Sequence, residues 1–358
     1  MSNIVQLNVP SLRQSHQERY GALTQSFAKH RRFGDDVFWL KENAELLNIL
    51  ECSGAEVGQD ALMTYQGFYA QVEKRLQFFP QYYRFLLSIC LDLEDLGMPG
   101  SKGAALVDWV ATQGFAHAEL SDLQRMEARR LMARRGQDPF ARDGGLEDRM
   151  RQFIARSATF SMPNKKAAYE LTHAVFYLSE YGRKDPQLDS ETRTSLELTG
   201  LLAFLEQNAD LLAEVCIALT YGGFAVPEIW KTWLLRHTHL FDVESGGQVT
   251  PQDDYHEFLV CNWMMSTCGH QGFFKPMAQD RMAFFRPEGT AGPLRELSEC
   301  MYKLDEARTD DWEAMRPLVL DQLSEDAQVV VSWAETSSDK FGAFFQGFAR
   351  TSLALVAM

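Results

Sequence analysis

Apolar residues recur along most of this chain at steps of three and four, the period of a helix with one buried face. The pattern predicts helices over residues 20–28, 36–50, 61–79 and 81–96, the last two joined at Phe79-Pro80. Proline suits the first turn of the second helix of that pair, where its missing N–H costs nothing. Gly97-Met98-Pro99-Gly100 stops the fourth helix, and Ser101 offers an N-cap for 102–113. Further helices are expected over 121–135, 146–156, 164–181, 190–207, 210–221, 227–236, 251–266, 294–307, 311–323, 325–335 and 339–355. Strand signals are sparse. Val329-Val330-Val331 is β-like but sits inside a helical pattern.

The expectation is an all-α fold. Successive helices with short turns suggest antiparallel helix pairs that close into an α/α toroid or helical barrel, or stack as a solenoid. No exact repeat at a fixed period is present. Residues 1–100 are expected to form an N-terminal helical region and 101–358 a helical-barrel-like region, unless the two are one continuous domain.

Composition narrows the function classes. At 46% hydrophobic and 12% aromatic residues, the chain has enough apolar surface to offset the entropy of ordering. A net charge of −14 argues against a general nucleic-acid binder, which needs excess Lys and Arg to displace counterions. Acidity also suits a site that holds cations. The first ten residues, MSNIVQLNVP, lack the basic and apolar regions of a signal peptide, and no apolar run approaches the roughly 20 residues of a bilayer span. Six scattered cysteines with no CxxC pair read as reduced thiols, so the expected location is cytoplasmic and off the membrane.

One stretch reverses the charge. Residues 121–135 carry Arg125, Arg129, Arg130, Arg134 and Arg135, and 146–156 adds further arginines. This is either a docking face for an anionic ligand or protein partner, or a solvated face balanced by Glu119, Asp122, Glu127, Glu147 and Asp148. The first reading makes the protein a non-catalytic scaffold.

Candidate chemistry concentrates in 169–183. Glu170 and His173 are three apart on one helix face, and Tyr177 and Glu180 continue the stripe, against Leu171, Ala174, Val175 and Leu178 on the other side. Later, His256 shares its face with Leu259, Val260 and Trp263, so its imidazole is expected to point inward, where each nitrogen needs a partner. Between them Asp210 or Glu214 offers a carboxylate. Glu170, His173, Glu214 and His256 would make a mixed nitrogen and oxygen site for a divalent metal such as zinc, iron or manganese, with Tyr169, Tyr177 or Tyr255 as candidate catalytic proton donors on a small-molecule substrate. His237-Thr238-His239 and Cys268-Gly269-His270 are weaker: neither has standard ligand spacing.

Tyr169-Glu170-Leu171-Thr172-His173, with Phe176-Tyr177, Tyr181-Gly182-Arg183 and the later Tyr255-His256, resembles a bacterial domain-of-unknown-function family over about residues 164–270. The resemblance implies an α/α-toroid architecture, shared by several metal-dependent and cyclase enzymes, and brings no activity with it. A second likeness is to class I terpene synthases, whose acidic magnesium motif Asp253-Asp254-Tyr255-His256-Glu257 mimics. It comes late in this chain where that family has it early, and Asp92-Leu93-Glu94-Asp95, nearer the expected place, lacks the paired aspartates.

Overall fold

The computed structural model describes residues 14–32, 36–247, 252–289 and 292–351. The leader region read from residues 1–10, the start of the expected 251–266 helix and the end of the expected 339–355 helix lie outside these.

The fold is all-α. The chain runs through α1 (His16–Lys29), α2 (Val37–Cys52), α3 (Gln59–Leu62), α4 (Gln66–Phe78), α5 (Tyr83–Asp95), α6 (Lys102–Gln113), α7 (Asp122–Ala133) and α8 (Leu146–Ile154). It continues with α9 (Lys165–Leu178), α10 (Ser190–Glu206), α11 (Ala209–Tyr221), α12 (Glu228–Leu240) and α13 (Tyr255–Thr267). The last helices are α14 (Leu294–Leu304), α15 (Trp312–Gln322), α16 (Glu325–Ser337) and α17 (Phe341–Ala349). No helix among the described residues is long and apolar enough to cross a membrane.

Local chemistry sets the helix starts. Ser15 closes a capping box with Glu18, and Asp36, Asn164, Asp189 and Asn208 each accept a backbone N–H from the first turn that follows. Ser101 precedes α6 as expected but makes no side-chain cap bond. The expected 61–79 helix is broken by a 3-10 turn at Met63–Tyr65. Glu180 and Tyr181 leave α9 with φ of 49° and 55°, so the polar stripe of that helix stops short of Glu180. Val329, Val330 and Val331 are helical, in α16.

Sequence reading missed one short sheet. β1 (Asp242–Ser245) pairs antiparallel with β2 (Met282–Phe285), Val243 opposite Phe284. Strands of four residues are too short to show alternation, and β1 is polar and mostly exposed.

The centre of the molecule is α11, buried at every position from Leu211 to Leu219. A helix without a polar face has no side to give to water, so neighbours cover it all round: α9, α10, α12 and α13. Glu214 is the one charged residue in that buried run. The N-terminal helices join the same core, with α2 packed on both α5 and α13. Arg31, 1% exposed, bonds Glu42 of α2 at 2.9 Å, Asp253 at 2.7 and 2.8 Å, and the Met282 carbonyl at 2.7 Å. Asp253 also accepts the Phe284 N–H at 2.9 Å. This knot fixes α2, β2 and the start of α13 relative to one another.

Candidate metal centre

Asp210 and His256 are both the second residue of their helices. A two-residue turn, Gln207-Asn208, separates α10 from α11, with Gln207 left-handed at φ 55° and Asn208 capping the Leu211 N–H at 3.1 Å. That turn brings Asp210 to the rim of the core. His256 reaches the same rim because β2 and Arg31 hold the residues before it.

One ligand atom from each of Asp210, Glu214 and His256 lie within 4.8 Å of one another, so this group could hold a metal ion. Nε2 of His256 is 3.3 Å from Oδ1 of Asp210, and Nε2 of His173 is 3.5 Å from Oε1 of Glu214. Each member is held from outside. The Tyr169 hydroxyl donates to Oδ2 of Asp210 at 2.6 Å, the Thr172 hydroxyl donates to Oε2 of Glu214, and Nδ1 of His256 lies 3.3 Å from Oε2 of Glu45. The atoms these bonds leave over are Asp210 Oδ1, Glu214 Oε1 and His256 Nε2. Asp210 Oδ1 is buried without any aligned hydrogen bond; its contact with His256 is an ion pair without hydrogen-bond geometry.

The electrostatics follow from burying three carboxylates beside two imidazoles. Burial opposes the His256 imidazolium, but Glu45, Asp210 and Glu214 outweigh it and push its pKa up to about 9. Burial pushes Asp210 up to about 6, against the pull of His256 and with the help of Glu214. Glu214 goes the other way: burial is outweighed by His173 and by the Thr172 bond, so it stays ionised. His173 is correspondingly raised, Glu214 overcoming its burial. Without a metal, the cluster at neutral pH is a charged His256 among carboxylates.

Of the residues expected to form the site, Glu214 and His256 fall within the group, and His173 touches it through Glu214 alone. Glu170 lies outside the group, its carboxylate 3.9 Å from Lys166 one turn back. Asp210, the alternative carboxylate, is inside it. Among the tyrosines, Tyr169 is the nearest, bonded to Asp210; Tyr255 engages Glu45; the Tyr177 ring lies 6.1 Å from that of His173. Burial raises the pKa of all three, which keeps the phenols protonated. Glu45 went unnoticed in the sequence. It looks like one more exposed acid beside Lys41, and nothing local says that α13 packs across it.

In the acidic pair Asp253-Asp254, Arg31 and the Phe284 N–H take up the Asp253 carboxylate, and Asp254 accepts the Arg286 N–H. Asp92 and Asp95 are likewise held by Arg134 and Arg135. His237 is helical, in α12, with its Nε2 2.6 Å from Glu257.

A family model described as Domain of unknown function (DUF6902) matches residues 1–351, well beyond the 164–270 expected for such a likeness. No curated protein and no solved structure matches the chain.

Proposed function

The chain belongs to the DUF6902 family, and we propose that it is a metal-dependent enzyme with a single divalent cation held by Asp210, Glu214 and His256, His173 serving as a fourth donor. The observation that carries this reading is the outward tethering of Asp210, Glu214 and His256, which leaves a buried Asp210 Oδ1, without an aligned hydrogen bond, facing Nε2 of His256. A buried acceptor with no aligned donor is costly, and a cation at that point offsets the cost.

Two carboxylates and two imidazoles suit zinc, iron(II) or manganese(II). When bound, the cation would polarise a substrate oxygen or lower the pKa of water. The rest is the work of this chain. Glu45 holds a proton on Nδ1 of His256 and so frees Nε2 to ligate, the arrangement that fixes a metal-binding imidazole in one tautomer. Tyr169 and Thr172 aim the two carboxylates. His173 and His256 keep 39% and 41% of their side chains accessible although their helices cover the central α11, so a small molecule is the fitting substrate.

The test is elemental analysis of untagged protein, as purified and after loading with zinc, iron(II) or manganese(II). About one equivalent per chain is expected, lost in Asp210→Ala and His256→Ala with far-UV circular dichroism unchanged. Wild-type protein that neither carries nor takes up metal would end this reading.

The scaffold alternative has less behind it. Arg125, Arg129, Arg134, Arg135, Arg149 and Arg151 each pair with a carboxylate of the chain itself, so most of the basic stretch is neutralised within the molecule.

A further inference from the structure

Away from the metal centre, the break between α4 and α5 builds a second feature. Pro80 has no N–H to continue α4, and Phe79 before it leaves the helical region at φ −128° and ψ 57°. The break turns Phe78 and Phe79 outward, 70% and 51% exposed, instead of into the core. Beside them the start of α2 exposes Val37 at 38%. Scattered single apolar residues on a surface need no explanation; Val37, Phe78 and Phe79 around one groove do.

The groove between α2, α4 and α5 has a volume of 900 Å³. Its apolar walls include Val37, Leu40, Phe79 and Leu86, and its polar lining includes Asp36, Lys74 and Arg75. The charges are not equivalent. Asp36 is committed to capping the Trp39 N–H at 2.8 Å. Arg75 lies over the Phe68 ring, 5.8 Å from its centroid. Lys74 is exposed, with no carboxylate partner among the described residues. In a chain of net charge −14, this groove pairs apolar walls with a cation that no carboxylate of the described residues engages.

We propose that this groove binds an anionic amphiphile, a long-chain carboxylate whose tail lies against Val37, Leu40 and Phe79 and whose head group pairs with Lys74. The volume falls in the range of small-molecule sites, and the polar lining supplies the few charges that fix orientation. A concave trough with the cation along its wall suits an inserted free molecule rather than a flat membrane face.

Isothermal titration calorimetry with laurate and with dodecyltrimethylammonium, each below its micelle concentration, separates tail from head. Laurate should bind one to one, and at least about tenfold more tightly than the cationic amphiphile. Lys74→Glu should weaken laurate by about tenfold or more, and Phe79→Ser, at an exposed position, should weaken both ligands. No laurate binding overturns the proposal. So does equal binding of the two head groups with Lys74→Glu unchanged, which means unspecific adsorption. Cosedimentation with phosphatidylglycerol vesicles, without binding of free laurate, would assign the face to a membrane instead. Because neither substituted residue touches the metal centre, metal content in both variants should match wild type, and failure of either proposal leaves the other standing.

Discussion

Oε2 of Glu45 on α2 lies 3.3 Å from Nδ1 of His256 on α13, across 211 positions of chain. The contact exists because α2 packs on α13, and it gives His256 a fixed orientation and a raised pKa. Glu45→Gln should therefore lower the His256 pKa from about 9 towards ordinary imidazole values, read by NMR titration of the ring protons. Metal affinity should fall by about 10–100-fold. A His256 titration curve that does not move would show that Glu45 plays no orienting role.

The ligand assignment separates residues that sequence alone treats alike. His256→Ala and Asp210→Asn should each weaken metal binding by about 100-fold or more, whereas Glu170→Gln should leave it within about threefold. Loss of metal in Glu170→Gln would mean that the first turns of α9 rearrange to bring that carboxylate in.

Metal binding should depend on pH with a definite sign. Nε2 of His256 must shed its proton before it can ligate, so affinity should rise at least about tenfold per pH unit between roughly 6 and 9, and more steeply where His173, also raised, still holds its proton. Below about 6 the slope should steepen as Asp210 also takes up a proton. In the metal-free protein the raised His256 pKa contributes stability that is complete below its ordinary value of 6.5 and is lost as pH rises through about 9. Calorimetric titrations in buffers of different ionisation heat count the protons released. A count of zero at pH 7.5 would exclude His256 as a ligand.

Arg31 carries the packing that creates the site. Arg31→Ala leaves Asp253 buried without its cation and Glu42 with Arg32 alone, and should cost about 3–5 kcal/mol in urea unfolding. Arg31→Lys, which cannot reproduce the forked contact, should recover only part of that. Full stability of Arg31→Ala would show that α2 and α13 are held together by apolar packing alone.

Gly200 in the middle of α10 tests the core. A Cβ there would lie 2.3 Å from the Trp230 ring, which is fully buried and has nowhere to go. Gly200→Ala should thus destabilise by about 1–3 kcal/mol, although alanine is the better helix former by about 1 kcal/mol. A rise in melting temperature would mean that Trp230 repacks freely.

Most helices are legible in the residues alone. Their period, caps and breakers are local, so α6 begins and ends where Lys102 and Gln113 predict, and α10 and α11 differ from expectation by a residue. The sequence also marked His256 and, between Asp210 and Glu214, a carboxylate, because a charged or imidazole group among apolar neighbours stands out whatever it packs against; His173 was marked through its spacing from Glu170. Partnership is set by long-range packing. Glu170 and His173 share a helix face, yet Glu214 meets His173 while Glu170 turns to Lys166. Glu45 and Asp210 became members because α2 and the Gln207-Asn208 turn deliver them to His256. Spacing along a helix fixes which side of it a residue occupies. Which neighbour lies on that side is set by the packing of distant segments, and no local pattern encodes it.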